Sequence, residues 1–370
     1  MSTAAEAESL IAAAKKHLKK PLFGKPNYNS AAEEYEQAAK FYTSEARRSE
    51  NNQSFLESAK ECWTASSAAH EKAKNGIFAA RAMVALGELY HEDGVTHNRV
   101  SSFQQAGATF EKASQLYALE IKTDKQAECL GKASAAWREV LKRAGEDAAL
   151  KKEAKQKTDE LTEETLNTMQ LSWEVDEKRP YKLPEQYRAF ITQTLKDYQQ
   201  TISSKEGDGI AELRTAVMAE KRMLGINTKT NQYDDSKNIF TTLKQPSNAA
   251  KCGLEIIILC LSSSKNASDA VIWADEEMNI LRSVTGFAGS KEERAAGNLL
   301  SAYEDNDIER LQMALKESHE INFLAPDIAR MGKKLTFAGG KVERLNVNNM
   351  SSNNNNNKAV DEFGSDEDIR

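Results

Sequence analysis

Between Tyr28 and Ala144 the chain repeats one spacing: a small residue, a bulky one four later, another three on and another four on. Ala31, Tyr35, Ala38 and Tyr42 set the pattern, and Ala59, Trp63, Ser66 and His70 follow it loosely. Ala79, Met83, Leu86 and Tyr90 follow it closely. Ala106, Phe110, Ala113 and Tyr117 match the first set almost residue for residue, and Ala133, Trp137, Val140 and Ala144 end the series. These offsets keep four side chains on one face of an α-helix. Alanine lets a neighbouring helix come close, and the aromatic fills the groove beside it. The pattern predicts an all-α solenoid of stacked helical hairpins with an irregular period.

Around this array the predicted elements are also helical. A first helix covers 4–20, with Leu10, Ile11, Ala14 and Leu18 as its apolar positions and Lys15, Lys16, Lys19 and Lys20 at its end, where the helix dipole favours cations. Pro21 stops it, and Asn29 or Ser30 is placed to cap the next helix. The array is expected to run to about residue 158, with Gly76, Gly94 and Gly145 at turns. Residues 146–168 read as an exposed, charged helix face. Trp173 to Pro184 breaks the pattern, and helices resume at about 185 with Ala189, Ile191, Leu195 and Tyr198 on one face. Ile210–Leu224, Tyr233–Leu243 and Ala249–Leu261 follow, the last apolar enough to sit inside a C-terminal bundle. Ala267–Leu281, a helix opened by the capping-box pair Ser290 and Glu293, Asp307–Ser318 and Ala325–Leu335 complete the set. The expected division is a solenoid over 1–250, a bundle over 251–340, and an asparagine-rich, acidic, disordered tail over 341–370.

Composition supports helix: glycine and proline number only 18 and 6 among 370 residues. The most apolar run, Leu254 to Leu261, contains Glu255 and is too short to span a bilayer. No signal-peptide core is visible at the N-terminus, so the expected place is cytoplasmic. Cys62, Cys129, Cys252 and Cys260 read as buried thiols. A net charge of -6 argues against a nucleic-acid partner.

Catalytic patterns are missing. No glycine-rich phosphate loop follows a strand, and His91, Asp93 and His97 make only a weak metal pattern. No nucleophile–histidine arrangement stands out, so neither enzyme chemistry nor a cofactor is expected. Two stretches draw attention instead. Leu22 and Phe23 sit in a loop bounded by Pro21 and Pro26, where Phe23 either tucks onto the first helices or enters a membrane interface beside Lys19, Lys20 and Lys25. Lys151, Lys152, Lys155 and Lys157 form either a solvated face or a basic stripe for an acidic partner. The acidic end is either solubilising or docks on a basic partner.

Two blocks of residues go beyond a fold class. One is Leu22-Phe23-Gly24-Lys25-Pro26-Asn27-Tyr28-Asn29-Ser30-Ala31-Ala32 within Ala12–Tyr42. The other, within Asp269–Gly340, holds Ser283-Val284-Thr285-Gly286-Phe287-Ala288-Gly289-Ser290, Ala302-Tyr303-Glu304-Asp305-Asn306-Asp307 and Asp327-Ile328-Ala329-Arg330-Met331-Gly332-Lys333-Lys334-Leu335. With these the chain resembles the soluble NSF attachment protein family, nearest its gamma branch; residues 146–260 match mainly in helical pattern.

The resemblance implies a TPR-like α-solenoid of antiparallel helical hairpins with a C-terminal helical bundle. It implies an adaptor that coats an assembled SNARE complex (syntaxin, SNAP-25-like and synaptobrevin-like chains) in several copies and recruits the hexameric ATPase NSF. It places Leu22 and Phe23, with Lys19, Lys20 and Lys25, at an anionic membrane, peripherally bound. Lys122, Lys125, Lys132 and Lys155 are the candidates for the acidic SNARE surface, and Asp366, Glu367, Asp368 and Ile369 for NSF. The asparagine tract and the ending Asp368-Ile369-Arg370 depart from the better-known alpha members. A general α-solenoid scaffold unrelated to SNAREs is the alternative.

Overall fold

The computed structural model describes residues 4–19, 25–48, 53–175, 179, 181–205, 207–263 and 267–336, and these are all-helical, with no strand among them. Seven helices come first: α1 (Ala4–Leu18), α2 (Tyr28–Arg48), α3 (Gln53–Lys72), α4 (Gly76–His97), α5 (Val100–Leu119), α6 (Thr123–Arg143) and α7 (Ala148–Val175). Each packs on the next, as a hairpin solenoid requires. The repeated positions form its interior. All of them are buried except Tyr90, which is partly so. Glycines on the facing helices make room for the aromatics. A Cβ at Gly87 would lie 2.7 Å from the Phe110 ring, and one at Gly107 2.6 Å from Trp137.

The same rule moves one expected turn. Gly94 lies inside α4, where a Cβ would come within 2.9 Å of Phe103; it serves close packing, not a bend. Gly145, at φ +56, does sit in a turn. The cap of α2 is Asn27, whose Oδ1 accepts from the Ser30 amide at 3.2 Å, rather than Asn29 or Ser30. The last helix of the array is also longer than its charge suggested. α7 continues to Val175 because Ala154, Thr158, Leu161, Thr162, Thr165 and Leu166 bury a narrow stripe, while the lysines and acids face out. Threonines within it satisfy their hydroxyls on the preceding turn, as Thr158 does on the Ala154 carbonyl at 2.8 Å.

After the array come α8 (Lys182–Ser204), α9 (Ile210–Met223), α10 (Ile239–Thr242), α11 (Pro246–Leu261), α12 (Ala267–Leu281), α13 (Lys291–Glu304), α14 (Ile308–Glu317) and α15 (Pro326–Gly332). α8 begins ahead of Pro184, which fits because a proline in the first turn loses no helical hydrogen bond. Its inner face is Leu183, Tyr187, Ile191 and Leu195; Ala189 is exposed. Tyr233–Leu243 yields only a 3-10 turn at Asp235–Lys237 and the short α10, because Asn238 caps a new start in its middle.

α11 is the axis of the second half. It is buried from Ala249 to Leu261 apart from Lys251, and it touches α9, α12, α13 and α15. Phe287, fully buried, lies against Gly253, where a Cβ would run into its ring. The expected cap is present: Ser290 Oγ accepts from the Glu293 amide at 3.0 Å, while Glu293 Oε2 reaches one residue further back, accepting from the Gly289 amide at 2.6 Å. One apolar cluster extends from Ala127 through α8 and α9 to Leu335, so the core crosses residue 250 without a gap.

Buried charge ties α8, α9 and α11 together. Arg188 on α8 donates through Nη1 to Glu220 on α9 at 2.7 Å and to Glu255 on α11 at 2.5 Å. Glu255 also accepts from the Ala325 amide at 2.7 Å, which explains a carboxylate inside the most apolar helix. Cys252 donates to Glu220 at 2.6 Å. Burial pushes Glu220 well above the ordinary carboxylate range, with Arg188 acting against it. The four cysteines are buried and free, and burial pushes Cys62 up to about 11 and Cys129 up to about 12.

Candidate functional site: a groove between three helices

The helix α6 uses two faces. Ala133, Trp137 and Val140 point into the stack, while Ala127, Gly131 and Ala135 form the floor of a groove of about 900 Å³. His91 and Val95 of α4 make one wall, and Gln186, Phe190, Gln193 and Asp197 of α8 make the other. A Cβ at Gly131 would rest 3.5 Å from Phe190, an ordinary contact, so this glycine leaves space without being needed for packing. Small residues at every fourth position give a shallow channel along a helix, the shape that accepts another helix closely.

Charged side chains fix the groove. Arg138 is only 3% exposed; its Nη2 donates to Asp197 at 3.2 Å, and its buried Nη1 has no hydrogen-bond partner. A buried guanidinium nitrogen without an acceptor is a donor that the fold leaves unused. Lys142 reaches Glu139 and Glu212, each at 2.6 Å, and Arg143 pairs with Glu139 while lying over the Phe103 ring. Burial alone would raise the Glu139 carboxyl, but Lys142 and Arg143 hold it below its usual value. His91 packs edge-on to Phe103 at 5.3 Å, and burial lowers its affinity for a proton.

Of the lysines singled out from sequence, Lys132 lines this groove. It pairs with Glu88 at 2.8 Å and Glu128 at 3.4 Å. Lys125 meets the same Glu128 at 2.8 Å. Lys122 is exposed just before α6, and Lys155 is exposed on α7 away from the groove lining. Lys19 and Lys25 are exposed; Lys20, Leu22, Phe23, Asp366, Glu367, Asp368 and Ile369 lie outside the described residues. Of the weak His91, Asp93 and His97 pattern, His97 Nδ1 meets Asp93 at 2.8 Å, while His91 packs on Phe103. Among the described residues no cluster is placed to hold a metal ion.

Sequence reasoning passed over the groove itself. The visible signal was a second small-residue stripe on α6, offset from the repeat stripe, but a solvated face can show the same spacing. A node in the array was also missed: buried Asp93 accepts from Lys60 at 3.0 Å and from Ser102 at 2.7 Å, which keeps its carboxyl ionised below the usual range despite burial.

Scanned against protein-family models and against curated proteins, the chain finds no match. Among the described residues, no helix is long and apolar enough to cross a membrane.

Proposed function

We propose that the chain is an adaptor that binds helical segments of an assembled SNARE complex and recruits the ATPase NSF, performing no chemistry itself. The observation that carries this reading is the groove between α4, α6 and α8, with its small-residue floor, its partnerless Arg138 Nη1 and Lys132 at its side. An amphipathic helix laid in such a channel would place aliphatic side chains over Gly131 and a carboxylate or amide oxygen at Arg138. The resemblance in the Leu22–Ala32 and Ser283–Leu335 segments supplies the identity of the helices. In this reading the membrane contact of Leu22 and Phe23 strengthens binding by adding a second, weak attachment to the same assembly.

The test is capture of a preassembled SNARE complex by the purified chain, with NSF held in its ATP-bound, non-hydrolysing state. NSF should be retained only when the chain is present. Gly131→Leu, which fills the channel, should lower SNARE capture about tenfold with an unchanged melting temperature. Absence of capture by the folded chain across several SNARE complexes would overturn the SNARE reading and leave a solenoid scaffold for a different helical partner. Full capture by Gly131→Leu would move the binding site off this groove.

A further inference from the structure

Antiparallel stacking gathers alternate connections along one edge of the array. The Asn27 amide donates to the His17 carbonyl at 3.0 Å, tying α1 to the start of α2. Asn75, between α3 and α4, donates to Asn29 Oδ1 at 2.8 Å. Gly76 abuts Glu120, after α5, too closely for a side chain. Lys182, opening α8, pairs with Asp124 of α6 at 2.7 Å. These contacts bring the described helix ends at this edge together as a rim.

This rim carries large apolar side chains that packing does not use. Leu119 and Ile121 are 81% and 84% exposed. Ile121 also sits at φ +55, a left-handed conformation that a β-branched residue rarely adopts. The turn only needs its amides: Ile121 N donates to the Ala118 carbonyl at 3.0 Å, and Lys122 N to the Tyr117 carbonyl at 2.9 Å. Asparagine or glycine would close it with less strain. Folding therefore does not explain an isoleucine held out into solvent here. Between the apolar tips stand exposed lysines: Lys19, Lys25, Lys72, Lys74, Lys122 and Lys125. Of the acids nearby, Glu71 is paired to Lys112, Asp124 to Lys182 and Glu128 to Lys125, while Glu120 is exposed between Leu119 and Ile121. The rim is basic on a chain whose net charge is -6.

We propose that this rim docks on an anionic lipid bilayer, with Leu119 and Ile121 entering the headgroup layer and the lysines lying against phosphate. Protruding apolar tips separated by lysines suit a fluid interface. A protein partner would need a contiguous patch, and lysine is depleted at the core of protein interfaces. The proposal extends the membrane contact expected at Leu22 and Phe23, whose neighbours Lys19 and Lys25 begin the same rim, but its apolar contact rests on Leu119 and Ile121.

The experiment is flotation of the full chain with phosphatidylcholine vesicles, with and without phosphatidylserine. Wild type should bind the anionic vesicles, less so as salt rises. Leu119→Ser with Ile121→Ser should lower that partition about tenfold, whereas Ile272→Ser with Met313→Ser, exposed on the bundle, should not change it. Ile121→Asn should melt no lower than wild type and still bind more weakly, which separates lipid contact from folding. Binding that survives the Leu119/Ile121 change overturns the proposal. If the companion Leu22→Ser, Phe23→Ser variant alone loses binding, the N-terminal contact stands without it. No binding of wild type to anionic vesicles, or concentration-dependent self-association that the rim variant abolishes, also overturns it.

Discussion

The hairpin array and the bundle around α11 are built from the same helix formers yet hold together differently. In the array the helices contribute alanines and aromatics unevenly, from no buried aromatic on α1 to three on α5, and the interior divides into separate clusters. Packing is between chain neighbours, as between α5 and α6. In the bundle one helix is buried almost all round and a single core reaches from α6 to the end of the described chain. Nearest-neighbour packing makes stability a sum of local interfaces, whereas a common core makes it cooperative. The array can therefore carry exposed grooves and rims at low cost to the whole. The bundle cannot, and it holds Glu220 and Glu255 by giving both of them Arg188, with Cys252 and the Ala325 amide as further donors.

Three measurements sharpen or break this contrast. The largest effect is expected from Phe287→Ala, which empties a fully buried site against Gly253. Urea unfolding should lose about 3–5 kcal/mol, with bundle signals changing together. A loss below about 1 kcal/mol would mean that the bundle core can collapse around the gap. Next is Phe110→Ala, an equally buried ring in the array. It should cost about 3 kcal/mol locally, with faster amide hydrogen exchange in α4–α6 and unchanged protection in α11–α13. Uniform loss of protection would show that array and bundle unfold as one unit.

The smallest effect concerns pH at the buried cluster around Glu220. Glu220 keeps its proton to about 8, whereas the unfolded chain releases it in the ordinary carboxylate range. The folded state thus binds the extra proton between those limits, so the contribution of this group is full below the carboxylate range and is lost as pH rises toward about 8. Melting temperature should fall by a few degrees across that window, and Glu220→Gln should flatten the decline. An unchanged slope in the variant would place the proton elsewhere.

The repeat spacing was legible because buried positions on a helix recur by geometry: Ala31, Tyr35, Ala38 and Tyr42 are inside as their offsets require. The apolar run of α11 and the Ser290–Glu293 cap were legible for the same local reason. Gly94 misled because a glycine near a helix end looks like a turn until Phe103 is seen against it. Ala189 misled because an alanine fits either face of a helix. The groove depended on α4, α6 and α8 coming together from distant parts of the chain, and Arg138 gained meaning only beside Asp197. Leu119 and Ile121 have the sequence of ordinary core residues; only the turn they occupy puts them outside. The helices and their inner faces follow from side-chain period and propensity along one segment, and so could be read from the residues alone. The tertiary structure alone decided which outer faces meet and which buried charges find partners, because those energies depend on residues that share no local pattern.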